Sequence, residues 1–166
     1  MNAFWSFFWP PFAAGLVIAV VGGGLSFRRH RGRNLGLLAT FVLSLAAAAL
    51  WCGPAGGAAR FSARIERDVR LTLDTYEMTK ITGHLHHGPL TRRIVLAGPA
   101  DDFQRSQLVL TMETLPGVSS ATWNPDSGGT PLIAEAAGSA VLGFLLGLFV
   151  AYLRELRRRY NLQWNW

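Results

Sequence analysis

Residues 131–153 read PLIAEAAGSAVLGFLLGLFVAYL, with Glu135 as the single charged side chain. A bilayer core of about 30 Å needs roughly 20 helical residues at about 1.5 Å each, so this stretch is long enough to cross. Working outward, the same feature recurs. No charged residue occurs in 1–27 or in 34–59, and only Glu135 interrupts 127–153. In a chain of 166 residues that is 50% hydrophobic, only 16% charged and of net charge +6, three such stretches exclude an ordinary soluble domain. They equally exclude a disordered or low-complexity polymer, which is poor in apolar residues.

The second span is Leu35 to Trp51, LGLLATFVLSLAAAALW, rich in the helix formers Ala and Leu. The first apolar stretch contains Pro10-Pro11. Inside a helix a proline costs about 3 kcal/mol or more, whereas the first turn accepts it. The regular helix is therefore expected to begin near Pro10, with Phe4, Trp5, Phe7, Phe8 and Trp9 forming an aromatic interfacial segment.

Arginines beside the spans predict their direction. Arg28, Arg29, Arg31 and Arg33 fill the loop after the first span, and Arg154, Arg157, Arg158 and Arg159 follow the third. The positive-inside rule places both groups in the cytoplasm. Trp5, Trp9, Arg28, Arg29, Arg157, Arg158, Arg159, Trp164 and Trp166 are then the expected interface anchors. Residues 1–27 hold the aromatic segment and first span, 28–34 a basic cytoplasmic loop and 35–52 the second span. Residues 53–130 form an insert on the opposite side, the periplasm of a bacterial inner membrane, followed by the third span, 131–153, and a basic, aromatic tail, 154–166.

The basic surplus resides in the arginine flanks, while the insert carries eight basic and eight acidic residues. The charge thus reads as a topology signal with anionic lipid headgroups as neighbours, and not as a nucleic-acid surface. The segment from Arg28 to Leu50 has the order of a signal peptide but follows another apolar stretch. Trp51 stands where lipidation of Cys52 would require a small residue, and a single Cys permits no intrachain disulfide.

Within the insert, Phe61, Ile65, Val69, Leu73 and Tyr76 follow helical spacing and predict an amphipathic helix with one buried stripe. From Met78 the period changes, and Ile81 and Leu85 alternate with Lys80, Thr82, His84 and His86 as in a half-buried strand. Gly88-Pro89 marks a turn, and Ile94 and Leu96 a second strand ending at Gly98-Pro99. Asp101 or Asp102 can cap a second helix whose apolar side is Phe103, Leu108, Met112 and Leu115. Leu115-Pro116-Gly117-Val118 ends it, and a short strand from Val118 to Trp123 precedes the linker. The order is α-β-β-α-β, giving an expected fold class of three transmembrane helices plus a small α+β domain.

Gly88, the strand Ile94-Val95-Leu96-Ala97-Gly98, a capped helix and the closing Pro116-Gly117-Val118 resemble the BON domain of bacterial envelope proteins over residues 61–123. Pro89 to Arg93 lengthen the turn, and the helix lacks most of the family's alanines. The resemblance implies a non-catalytic, often periplasmic module that contacts phospholipid or envelope partners, with Gly98, Pro116, Gly117 and Val118 as scaffold positions. It implies no catalytic residue.

His84, His86 and His87 are the one cluster with ligand chemistry. On a strand His84 and His86 share a face, yet no Cys, Asp or Glu stands at a matching spacing. They read as solvated histidines, with a partner contact and, more weakly still, a metal site as the alternatives. Spans without histidine do not suggest haem, and no cofactor is expected.

Small residues recur every four positions: Gly15, Ala19 and Gly23; Gly36, Thr40, Ser44 and Ala48; Ser139, Gly143, Gly147 and Ala151. Such ridges let helices approach closely in lipid, although Gly and Ala are also simply frequent there. Gly22-Gly23-Gly24 lacks the Lys-Ser/Thr of a phosphate loop and reads as packing. Glu135 reads as a hydrated interfacial acid, and the tail with Leu156 and Tyr160 as a headgroup-layer segment.

The resulting expectation is a non-enzymatic accessory subunit or adaptor of a larger membrane complex, with an integral-membrane protein partner. The alternative is a stand-alone phospholipid-binding or envelope-binding protein that uses the strand face around His84, His86 and Arg93.

Overall fold

Three long apolar helices and a small mixed sheet make up the architecture, in a computed structural model that describes residues 3–28, 32–126 and 128–163. Arg29, Arg31, Trp164 and Trp166 lie outside the described residues. The elements in order are α1 (Ala3–Arg28), α2 (Arg33–Cys52), α3 (Gly57–Thr75), β1 (Thr82–His87), β2 (Leu90–Ala97), α4 (Asp102–Glu113), β3 (Ser120–Thr122) and α5 (Leu132–Gln163). Helices α1, α2 and α5 are each long and apolar enough to cross a membrane. The chain divides into two compact units, one of Met1–Phe7 with Gly56–Glu135, the other of Phe8–Ala55 with Ala136–Trp166.

The first unit is the mixed module. Its sheet runs β1-β2-β3, with β1 antiparallel and β3 parallel to β2. The parallel pair requires a crossover, which α4 supplies. Phe61, Ile65, Val69 and Leu73 form the buried stripe of α3, and Leu85, Ile94 and Leu96 supply the strands' buried side chains. Gly83 permits close packing, since a Cβ there would lie 2.7 Å from Val69 Cγ1. Asp101 caps α4: its carboxylate accepts from the Gln104 backbone N–H at 2.7 Å, and the Gln104 side chain returns a bond to the Asp101 N–H.

Two expected core positions are instead exposed. Tyr76 is 56% exposed because it is the C-terminal cap of α3, where the chain leaves the helix. Phe103 is 73% exposed. It stands five residues before the buried Leu108, and five helical steps rotate it about 140° off that face.

A third correction concerns the start of α1, which is Ala3 and not Pro10. Pro10 and Pro11 supply no N–H to the helical ladder, but extending the helix through them buries Ala3, Phe7 and Phe8, with Pro11 also enclosed. The Phe7 ring packs on Phe61 with centroids 5.1 Å apart. Burying one phenylalanine contributes about 1.5–3 kcal/mol, so Phe7 and Phe8 together offset much of the penalty of about 3 kcal/mol that each of the two prolines carries.

The second unit is the helical one. The Ser139 hydroxyl donates to the Phe8 carbonyl at 3.0 Å. Gly143 meets the backbone at Phe12, and Gly147 meets it at Leu16. Position rises on both helices together, so α1 and α5 run parallel. Gly22 faces Thr40 and Ser26 faces Gly36, so α2 runs antiparallel to α1.

Candidate functional site

The most connected polar centre in the module joins three segments distant in sequence. Strand β2 places Arg92 against Glu135 in the first turn of α5, as an ion pair between Nε and Oε2. The Arg92 guanidinium also lies over the Phe4 ring of α1, 5.3 Å from its centroid. Both charged side chains are only about one-fifth exposed. Glu135 is therefore a paired and shielded acid, in contrast to the hydrated acid expected from its place near a span end. Beside it, buried Thr91 pairs as an isolated bridge with Pro131, and Gly129 closes on the Thr91 side chain. This pair, between a carboxylate and a permanently charged guanidinium, ties β2 to the first turn of α5.

The histidines do not converge. His84 is exposed on the sheet face opposite Leu85. His86 Nδ1 donates to the Pro89 carbonyl at 3.1 Å. A register irregularity between Leu85 and His87 turns His87 toward α3, where its Nε2 lies 3.1 Å from Glu66 Oε1. The Glu66 carboxylate also accepts from the Leu85 N–H. Among the described residues no three His, Cys, Asp or Glu side chains stand together as a metal-binding group.

The scaffold positions have distinct geometry. Gly98 has φ +138, and a Cβ there would lie 2.6 Å from the Lys80 carbonyl oxygen. Gly117 has φ +108, and its Cβ would meet Ile65 Cδ1 at 2.9 Å. Pro116 is exposed, and half-buried Val118 donates its N–H to the Leu115 carbonyl.

In the helical unit, Gly15, Gly143 and Gly147 lie where α1 and α5 touch backbone to backbone. Cβ atoms at these positions would collide with the carbonyl oxygens of Ala140, Phe12 and Leu16 respectively. Ala19 is fully buried, and Gly23 faces Leu148 and Ala151. On α2, Gly36 faces the Ser26 hydroxyl and Ser44 is buried. Trp5 and Trp9 are each 54% exposed. Arg28 and Arg157 are exposed, while Arg158 and Arg159 reach Glu155 at 3.8 and 3.2 Å.

Comparison with models of protein families, with curated proteins and with solved structures found no match.

The Arg92–Glu135 pair escaped sequence reasoning. The two residues lie in different elements, and the polar position on β2 resembled any exposed strand residue. The one available signal was an acid early in a span, which calls for a cation.

Proposed function

We propose that this chain is a non-enzymatic inner-membrane protein of a bacterial envelope, presenting a BON-like module in the periplasm as an accessory subunit or adaptor of a larger membrane complex. The observation that carries this reading is the use of Phe4 and Phe7 of α1 and Glu135 of α5 as structural members of the module. A module completed by residues at the starts of two apolar helices suits presentation to a partner better than a freely tethered domain does. The BON-like assignment rests on the order of the Gly98 and Pro116-Gly117-Val118 motifs, and the orientation on the arginines that follow the apolar parts of α1 and α5.

Purification in a mild detergent is expected to bring the chain down with a larger assembly, and a lone monomer across several detergents would refute the subunit reading. Orientation is testable in a Cys52→Ser background with a membrane-impermeant maleimide. Asn124→Cys should label from the periplasm, and Arg157→Cys only after permeabilisation.

A further inference from the structure

We propose that the arginine-rich end of the α1–α5 pair holds one anionic phospholipid, with its phosphate on the arginines and its upper acyl chain along α1. A groove of about 500 Å³ lies there within the helical unit, and Arg28, Arg154 and Arg158 line it beside Val21, Gly24 and Leu25. Its one acid, Glu155, has its carboxylate engaged by Arg159 at 3.2 Å and Arg158 at 3.8 Å. Three arginines and one carboxylate line the site, and because Arg159 from outside the lining pairs with that carboxylate, the lining keeps a positive surplus that selects an anion. Guanidinium groups suit phosphate because they present paired N–H donors.

The groove is also graded along the helix axis. On α1 the lining passes from Val21 through Leu25 to Arg28, and on α5 from Ala151 to Arg154 and Arg158. Both helices place apolar lining on the span side and arginine at the end. Seven helical steps from Val21 to Arg28 cover about 10 Å, enough for a headgroup and the first part of an acyl chain. Val21 and Leu25 are more than half exposed, so the apolar wall is open to a chain. An acidic peptide would match the arginines but not this wall, which belongs to a helix long and apolar enough to cross a membrane.

The glycine triplet explains how the groove forms. Gly22 faces Thr40 of α2 and Gly23 faces Leu148 and Ala151 of α5, but a Cβ at Gly24 would meet nothing within 4 Å. Two glycines therefore let helices approach, and the third leaves a space beside them. This site is independent of the module's proposed role.

The test is native mass spectrometry of the full chain in detergent, titrated with phosphatidylglycerol or with phosphatidylcholine of identical acyl chains. The expected result is one retained phosphatidylglycerol, preferred about tenfold, and loss of that preference by about tenfold in the Arg28→Gln/Arg154→Gln double variant. Arg33→Gln/Arg157→Gln removes equal charge away from the groove and should retain the preference. Gly24→Leu places a side chain in open space, so the fold should persist while lipid retention falls with the arginines intact. The proposal is overturned by equal retention of the two lipids, by equal losses in the two arginine pairs, or by wild-type retention in Gly24→Leu. Binding of an acidic peptide without any lipid preference would overturn it as well.

Discussion

Arg92 and Glu135, forty-three residues apart, meet as an ion pair in which each side chain is about one-fifth exposed, and the Arg92 guanidinium also lies over the Phe4 ring. Pairs exposed to water contribute little, and buried ones are costly to break because the survivor keeps its charge without a partner. This pair lies between those limits. Arg92→Ala or Glu135→Ala should each lower the module's stability by about 1–3 kcal/mol. Arg92→Met combined with Glu135→Leu should recover most of that loss, since apolar residues of similar size replace such pairs well. A double-mutant cycle of thermal unfolding in detergent reads the coupling, and strict additivity of the two alanine variants would show that the pair contributes nothing.

The α1–α5 contact predicts opposite signs for two glycine substitutions on one helix. Gly143→Ala forces a methyl onto the Phe12 carbonyl and should cost about 1–3 kcal/mol. A Cβ on Gly138 meets nothing within 4 Å, so Gly138→Ala should gain up to about 1 kcal/mol of helix propensity. Detergent-induced unfolding followed by circular dichroism distinguishes the two.

Backbone conformation sets the third prediction. Gly98 and Gly117 both have φ between +100 and +140, and each would bring a Cβ within 3 Å of a neighbour. Gly98→Ala should cost at least about 1–3 kcal/mol from strain alone. Gly117→Ala should cost less than Gly98→Ala, because its methyl presses on the movable side chains of Ile65 and Phe61, whereas a methyl at Gly98 meets the Lys80 carbonyl oxygen at 2.6 Å. Chemical denaturation of a variant that keeps Trp123 and carries Phe at the other five tryptophan positions, followed by fluorescence, measures both, with Pro116→Ala as the mild comparison.

Capping sets the fourth. Asp101→Ala removes the acceptor for the Gln104 N–H and should destabilise α4 by about 0.5–2 kcal/mol. Asp101→Asn should lose little, and hydrogen exchange at Gln104 and Arg105 reports the difference locally.

Much of this architecture was legible because local periodicity carries it. The stripe from Phe61 to Leu73, the Asp101 cap, the Gly98 and Gly117 turns and the arginine-flanked apolar runs all follow from spacing within one element. Where reading failed, a distant partner decided the outcome. Pro10 and Pro11 remain helical because Phe7 has Phe61 to pack on. His87 turns to Glu66 because the strand register shifts beside it. Glu135 is shielded because Arg92 reaches it from β2.

The bond from Ser139 to the Phe8 carbonyl spans 131 positions of chain. During synthesis, the glycine-bearing side of α1 must therefore wait in lipid or in a chaperone's care until α5 has been translated. Closure comes when α5 arrives to cover it. A nascent chain stalled before Leu132 would leave that side accessible to cross-linking, and release of the stall would bury it.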